Sequence, residues 1–284
     1  MSKVAVITDS TSYLPEEIRK EHDIHMVPLN VIFGSESYQE ETELVAEDFY
    51  AQVRETTGEL PKTSQPAVGL FADTYEKLAK DGYTDVVVIT LSREISGTYQ
   101  SATSAVEMVD SINVHVFDCE ISSAPQSYYV LEAAKMARED QNAKVIMSRL
   151  TVMRAKGTPA FFMVDDLSHL HRGGRLNSAQ FFVGNLLQVK PVLQFVDKKI
   201  VPFEKIRTRK KGINRLFELI HSDVGPDERA KISVIHANRE DEAKEYANQL
   251  QLEYPNAEVN VSYFGAVLGT HLGEGSIGLT WMKE

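Results

Sequence analysis

Short runs of consecutive apolar residues alternate with longer amphipathic stretches along the first half of the chain. "KVAVIT" (residues 3–8), "HMVPLNVIF" (25–33), "DVVVITL" (85–91) and "NVHVFD" (113–118) read as strands. Residues 48–57, 68–80, 98–110 and 127–139 carry apolar positions at helical spacing between them. Strands alternating with helices predict parallel βαβ units, whose right-handed crossovers build an open sheet covered on both faces. The pattern changes near Pro159. "AFFMV" (160–164) is a strand, "VKPVLQFVDKKIVPFEKI" (189–206) reads as a hairpin turning at Asp197-Lys198-Lys199, and residues 231–237, 258–264 and 276–282 add strands. Helices are predicted over 210–221 and 239–252. A hairpin beside βαβ pieces implies a mixed sheet. The expectation is α/β with two domains, an N-terminal parallel-sheet domain over 1–159 and a C-terminal mixed-sheet domain over 160–284.

Composition narrows the function. The 284 residues include 30 Lys and Arg against 41 Asp and Glu, a net charge of −11. Nucleic-acid binding needs basic surface, and the one basic run, "RTRKK" at 207–211, reads as a solvated helix start. A single cysteine, Cys119, excludes an intrachain disulfide. No apolar run reaches membrane-spanning length, and the N-terminus lacks a signal-peptide pattern. A cytoplasmic protein without an integral membrane segment is expected.

Four stretches could carry chemistry. In "SREISGTYQSA" (92–102) a predicted strand leads through Ser92, Ser96 and Gly97 into a helix. Ligands of open parallel sheets sit beyond the carboxyl ends of strands, and a helix start offers unpaired N–H groups to an anion. Ser96 equally suits capping its own helix. In "PKTSQPAVGLF" (61–71), Thr63 or Ser64 could cap the following helix or offer a hydroxyl to a ligand. In "DDLSHLHRGGRLN" (165–177), Asp166, His169 and His171 lack a recognised metal-ligand spacing, so no metal is expected. Gly173-Gly174 suggests a bend that presents Arg172 and Arg175, whose guanidinium forks suit a carboxylate or phosphate or a surface ion pair. In "GAVLGTHLGEGSIGLTW" (265–281), His271 lies among glycines that do not form a dinucleotide fingerprint. It could meet an anion or be structural. The common kinase, hydrolase and metalloprotease signatures are absent.

Taken in order, "VITDSTSYLP", "VPLNVIFGSESYQE", "KTSQP", "ISGTYQSA", "DDLSHLHRGGRLN", "QVKPVLQF", "KIRTRKKG" and "GTHLGEGSIG" resemble the DegV family of bacterial fatty-acid-binding proteins, which includes the FakB subunits of fatty acid kinase. The resemblance spans essentially the whole chain. It implies a long-chain fatty acid bound between two α/β domains, carboxylate at the interdomain cleft and acyl chain in an apolar tunnel. It also implies that the protein is not itself an enzyme and carries no cofactor. A separate FakA-like, ATP-dependent kinase subunit would phosphorylate the bound carboxylate, and the acyl phosphate would feed phospholipid synthesis. Carried over by motif, Thr63 with Ser64, Ser96 with Gly97, and His271 are the expected ligand-binding residues. Arg172 resembles an arginine used in phosphoryl transfer or kinase docking. "CEISSAPQSYYV" (119–130) departs from the family pattern, which leaves its effect on the pocket open. Residues 161–164 and 181–189 are candidates for the tunnel wall or for ordinary core. The competing readings are a stand-alone small-molecule phosphotransferase and a carrier of another acidic ligand with a regulatory role.

Overall fold

The computed structural model describes residues 3–176 and 190–283. The chain divides into two units, one of residues 1–43 and 63–157, the other of 44–62 and 158–284.

The first unit is built on β1 (Val4–Asp9), β2 (Ile24–Val27), β6 (Asp85–Thr90) and β7 (Asn113–Asp118). They form an all-parallel sheet in the order β2-β1-β6-β7. Ile7, Val86 and Val88 pack with Phe71, Tyr75 and Leu78 of α3 (Val68–Lys80) and Ala102 and Ala105 of α4 (Thr98–Val106). Val87 and Ile89 are also fully buried, and α5 (Ala124–Arg138) and α6 (Ala143–Lys156) pack against the same strands. Burial on both faces is why these strands are continuous apolar runs rather than alternating ones.

Residues 25–33 are not one strand. β2 ends at Val27, and β3 (Asn30–Phe33) belongs to a second sheet, with β4 (Glu36–Gln39) and β5 (Lys62–Ser64) in the order β4-β3-β5. Pro28 brings no N–H to a ladder. Leu29 then donates its N–H to Ser10 Oγ at 3.1 Å and accepts from Glu40 N at 2.9 Å, which turns the chain out of the parallel sheet. The apolar pattern also gives no sign of α1 (Glu16–Glu21), β4, β5, the helix Ala143–Lys156 or the short helices Ser168–Arg172 and Ala266–Leu272.

The second unit carries a six-stranded mixed sheet. Its strands are β8 (Ala160–Met163), β9 (Lys190–Val196), β10 (Lys199–Ile206), β11 (Ala230–His236), β12 (Glu258–Tyr263) and β13 (Ile277–Lys283), in the order β10-β9-β8-β13-β11-β12. Only β11 and β12 are parallel neighbours. The predicted hairpin is present. Asp197 and Lys198 form its two-residue turn with φ of 48° and 72°, the left-handed pair that a type I′ turn requires. Phe161 stacks on Trp281 with centroids 5.8 Å apart, and Met163 is fully buried in the core beneath α8 (Arg209–Asp223) and α9 (Glu240–Glu253). Those two members of the 161–164 segment are therefore sheet core; residues 181–189, the other tunnel candidates, lie outside the described residues.

Segment 44–62, assigned to the N-terminal domain on sequence grounds, belongs to the second unit. Phe49 and Tyr50 of α2 (Ala46–Glu55) are its buried face. Tyr50 Oη donates to the Phe264 carbonyl at 2.7 Å, beside α10 (Ala266–Leu272), all of whose residues are buried. No helix among the described residues is long and apolar enough to cross a membrane.

Candidate functional site

In the first unit, β6 delivers the loop that enters α4, and β5 delivers Thr63 and Ser64. Gln65 joins the two stretches: its Nε2 donates to Ser101 Oγ at 3.3 Å, and its side chain lies over Gly97. Gly97 has ordinary dihedrals, so what it provides is space; a Cβ there would fall 2.2 Å from Gln65 Oε1.

The loop amides ahead of the helix start are spent within the protein. Leu91 N donates to Asp9 Oδ2 at 2.8 Å, Ser92 N to the Ile121 carbonyl at 2.8 Å, and Arg93 N to Asp118 Oδ1 at 3.3 Å. Glu94 N goes to Ser92 Oγ, and Ile95 N and Ser96 N share the Ser92 carbonyl at 3.2 Å. Ser96 Oγ accepts from Thr98 N at 3.3 Å and lies 2.9 Å from Thr98 Oγ1. The capping role weighed for Ser96 is thus partly realised. Gly97 is the one residue between Leu91 and Thr98 whose N–H has no hydrogen bond among the described residues. What the loop and helix start offer a ligand is the half-buried Ser96 hydroxyl, the adjacent Gly97 N–H and the first-turn N–H groups of Tyr99 and Gln100, which have no acceptor among the described residues.

Thr63 and Ser64 do not cap α3, whose N-cap is Ala67 with no side-chain bond. They sit in β5, both half-buried, and Ser64 Oγ accepts from Asn30 Nδ2 at 3.4 Å. The departing segment also has a defined role. Cys119 is buried, donates to the Ile121 carbonyl at 3.2 Å, and is pushed up in pKa by burial, so it is an unreactive thiol. Ser123 adopts φ 64° before α5, and Gln126 reaches into a buried cluster around Asp9.

In the second unit, α7 (Ser168–Arg172) ends in the Gly173-Gly174 bend, and α10 carries His271. Gly173 lies on the His271 ring: a Cβ at 173 would stand 2.2 Å from His271 Nδ1. Glycine here is a requirement of close approach. Gly173→Ala should destabilise the protein by about 1–3 kcal/mol through overpacking, read as a lowered urea midpoint. An unchanged midpoint would show that the ring is not held against this backbone.

His271 is 8% exposed. Burial drives its pKa down to about 3, and the charges of Arg175 and Arg172 and the neighbouring His169 push the same way. It is a neutral imidazole at physiological pH and can give a ligand an uncharged hydrogen bond. His169 is lowered for the same principal reason and is hydrogen-bonded to the Thr270 backbone. Arg172 is exposed at the end of α7, whereas Arg175 turns back to the Gly173 carbonyl. Asp166 accepts from Ser168 N at 2.8 Å and from Ser168 Oγ, closing the start of α7 rather than facing a metal. No group of three or more His, Cys, Asp or Glu among the described residues is arranged to hold one.

The basic run hides a clamp that its sequence did not signal. Arg209 donates to Glu242 Oε2 and to the Gly275 carbonyl, each at 2.7 Å, and fixes the turn that follows α10. It is half-buried, not a solvated member of a charge run.

The sequence profile described as "Uncharacterised protein, DegV family" matches residues 3–284. Protein DegV of Bacillus subtilis (strain 168) is 51% identical over 279 residues, 98% of each chain. A crystal structure of DegV, a fatty acid binding protein from Bacillus subtilis, matches with a TM-score of 0.94 at 50% identity over the full length of both chains. A DegV family protein from Thermus thermophilus, described for its fatty acid binding, matches with a TM-score of 0.90 at 29% identity, over 99% of this chain and 100% of its own. A profile match of this extent and a full-length relative at half identity place the chain in the DegV family.

Proposed function

We propose that this protein binds one long-chain fatty acid and presents it to a separate ATP-dependent kinase subunit, which forms the acyl phosphate used in phospholipid synthesis. The observation that carries the binding step is the full-length likeness, at a TM-score of 0.94 and 50% identity, to a structure described as a fatty acid binding protein. In this reading Thr63 and Ser96 are hydroxyl donors to the carboxylate, Ser64 and the Gly97 N–H stand beside them, and His271 is the third polar partner. Arg172, exposed and cationic, serves phosphoryl transfer or kinase docking.

The chemistry supports a carrier. Burying an acyl chain contributes roughly 0.8 kcal/mol per methylene, so the tail supplies affinity. The carboxylate needs hydrogen-bond partners once it leaves water. Neutral hydroxyls and a neutral imidazole provide them without a tight ion pair, which leaves an oxygen available to a phosphoryl donor.

Solvent extraction followed by mass spectrometry tests the binding step: a long-chain fatty acid is expected, and a different acidic ligand would replace this reading. ATP turnover with added fatty acid tests the division of labour. Turnover only after a kinase subunit is added is the expected result; turnover by the protein alone would make it a phosphotransferase.

A further inference from the structure

β1 and β7 flank β6 in the parallel sheet, and both end in aspartate. β1 ends at Asp9, which is fully buried, and β7 at Asp118, which is 5% exposed. The loop carrying Ser96 and Gly97 starts between them. Its N–H at Leu91 goes to Asp9 Oδ2 at 2.8 Å, and its N–H at Arg93 goes to Asp118 Oδ1 at 3.3 Å. The intervening Ser92 N–H goes to Ile121, three residues beyond β7. The first three amides of the loop are therefore held from both sides by the ends of the two neighbouring strands.

We infer that Asp9 and Asp118 are positioning residues for the head-group loop, setting where Ser96 and Gly97 stand; the inference rests on the fatty-acid reading proposed above. Neither carboxylate need touch the ligand. Each acts through the loop backbone, and Asp9 is itself locked in place. Its Oδ1 accepts from Thr11 N at 3.0 Å, Thr11 Oγ1 at 2.6 Å and Gln126 Nε2 at 3.1 Å. Gln126 comes from α5, so one buried carboxylate ties β1, the loop and α5 together.

The two sites respond differently to amides. Both Asp9 oxygens face donors, so the amide nitrogen of Asp9→Asn would meet an N–H or O–H whichever way it turned, and one bond must be lost. Asp118 receives its two backbone donors, Arg93 N and Glu120 N, on the same oxygen, Oδ1. Asp118→Asn can keep both while removing the charge that faces Arg93, 3.5 Å away and half exposed. Asp118→Ala keeps neither.

The test compares the full chain with its D9N, D118N and D118A variants in two measurements. The first is amide hydrogen exchange at residues 91–96 without lipid. The second is affinity for palmitate relative to 1-hexadecanol, which has the same tail and no carboxylate. Faster exchange at 91–96 and a ratio lowered about tenfold, the scale of one hydrogen bond to a charged group, are expected for D9N and D118A. D118N should stay near wild type. In a Ser96→Ala background, D9N should lower the ratio by less than it does in wild type. A wild-type ratio in both D9N and D118A would overturn the inference, as would a parallel loss of both lipids, the mark of a merely structural role. If D9N does not fold, the contrast between D118A and D118N decides. If wild type takes up neither lipid, the fatty-acid reading fails, and exchange at 91–96 still decides whether the aspartates hold the loop.

Discussion

Acidification from pH 6.5 toward pH 3 is expected to remove stability at up to about 1.4 kcal/mol per pH unit through His271 alone. In the unfolded chain this imidazole takes a proton near pH 6.5, whereas in the fold it does so only near 3. Between those values the unfolded state binds the extra proton, so the contribution is fully present above about 6.5 and drains away as pH falls. A typical domain has about 5–15 kcal/mol in total, so a loss of several is large. His169, also lowered by burial, contributes with the same sign. Urea midpoints by circular dichroism at pH 7, 6, 5 and 4 measure the effect. His271→Gln should flatten the curve by close to one proton; equal slopes in variant and wild type would mean that the imidazole is not held neutral by burial.

Alanine at Ser96 or Thr63 is expected to weaken fatty-acid binding by about 10- to 100-fold each. A hydrogen bond to a charged group contributes about 1.5–3 kcal/mol, and each 1.4 kcal/mol is a factor of ten in affinity. The tail gives an internal standard, because removing two methylenes should weaken binding about tenfold by the area rule. The head-group losses should be independent of chain length. Calorimetric titration with palmitate and myristate checks both; alanine variants that bind as tightly as wild type would remove these hydroxyls from the site.

In the binding mode we propose, hydroxyls and a neutral histidine take the place of a charged clamp. A charged clamp would hold the carboxylate in an ion pair, whereas His271, kept neutral by burial and by the arginines beside it, can only share a hydrogen bond. That is the chemical difference between sequestering a carboxylate and offering it for reaction.

Much of this was readable along the chain. "KVAVIT" and "DVVVITL" are the central parallel strands, whose burial on both faces calls for uninterrupted apolar runs. Asp-Lys in "VDKKI" forms the turn its position suggested. What escaped depends on contacts between distant segments. Pro28 marks a break in the run, but nothing beside it signals that the chain then enters a second sheet. The residues of α2 show an apolar face but not the helix it meets. Ahead of "ISGTYQSA", the loop amides of Leu91, Ser92 and Arg93 find partners at Asp9, Ile121 and Asp118, which are contributed by other parts of the chain. Two signals could have pointed to that clamp: "VITDS" and "VFDCE" each end a buried strand in an aspartate, and a buried carboxylate requires donors. "RTRKK" misled in the opposite direction, because a charge run does not reveal that one of its members, Arg209, holds the Gly275 carbonyl.

Native mass spectrometry of the purified protein tests the central claim most directly. One bound long-chain fatty acid per chain is expected, retained in wild type and lost on combined Thr63→Ala and Ser96→Ala substitution. A chain that arrives empty and takes up no added fatty acid would contradict it.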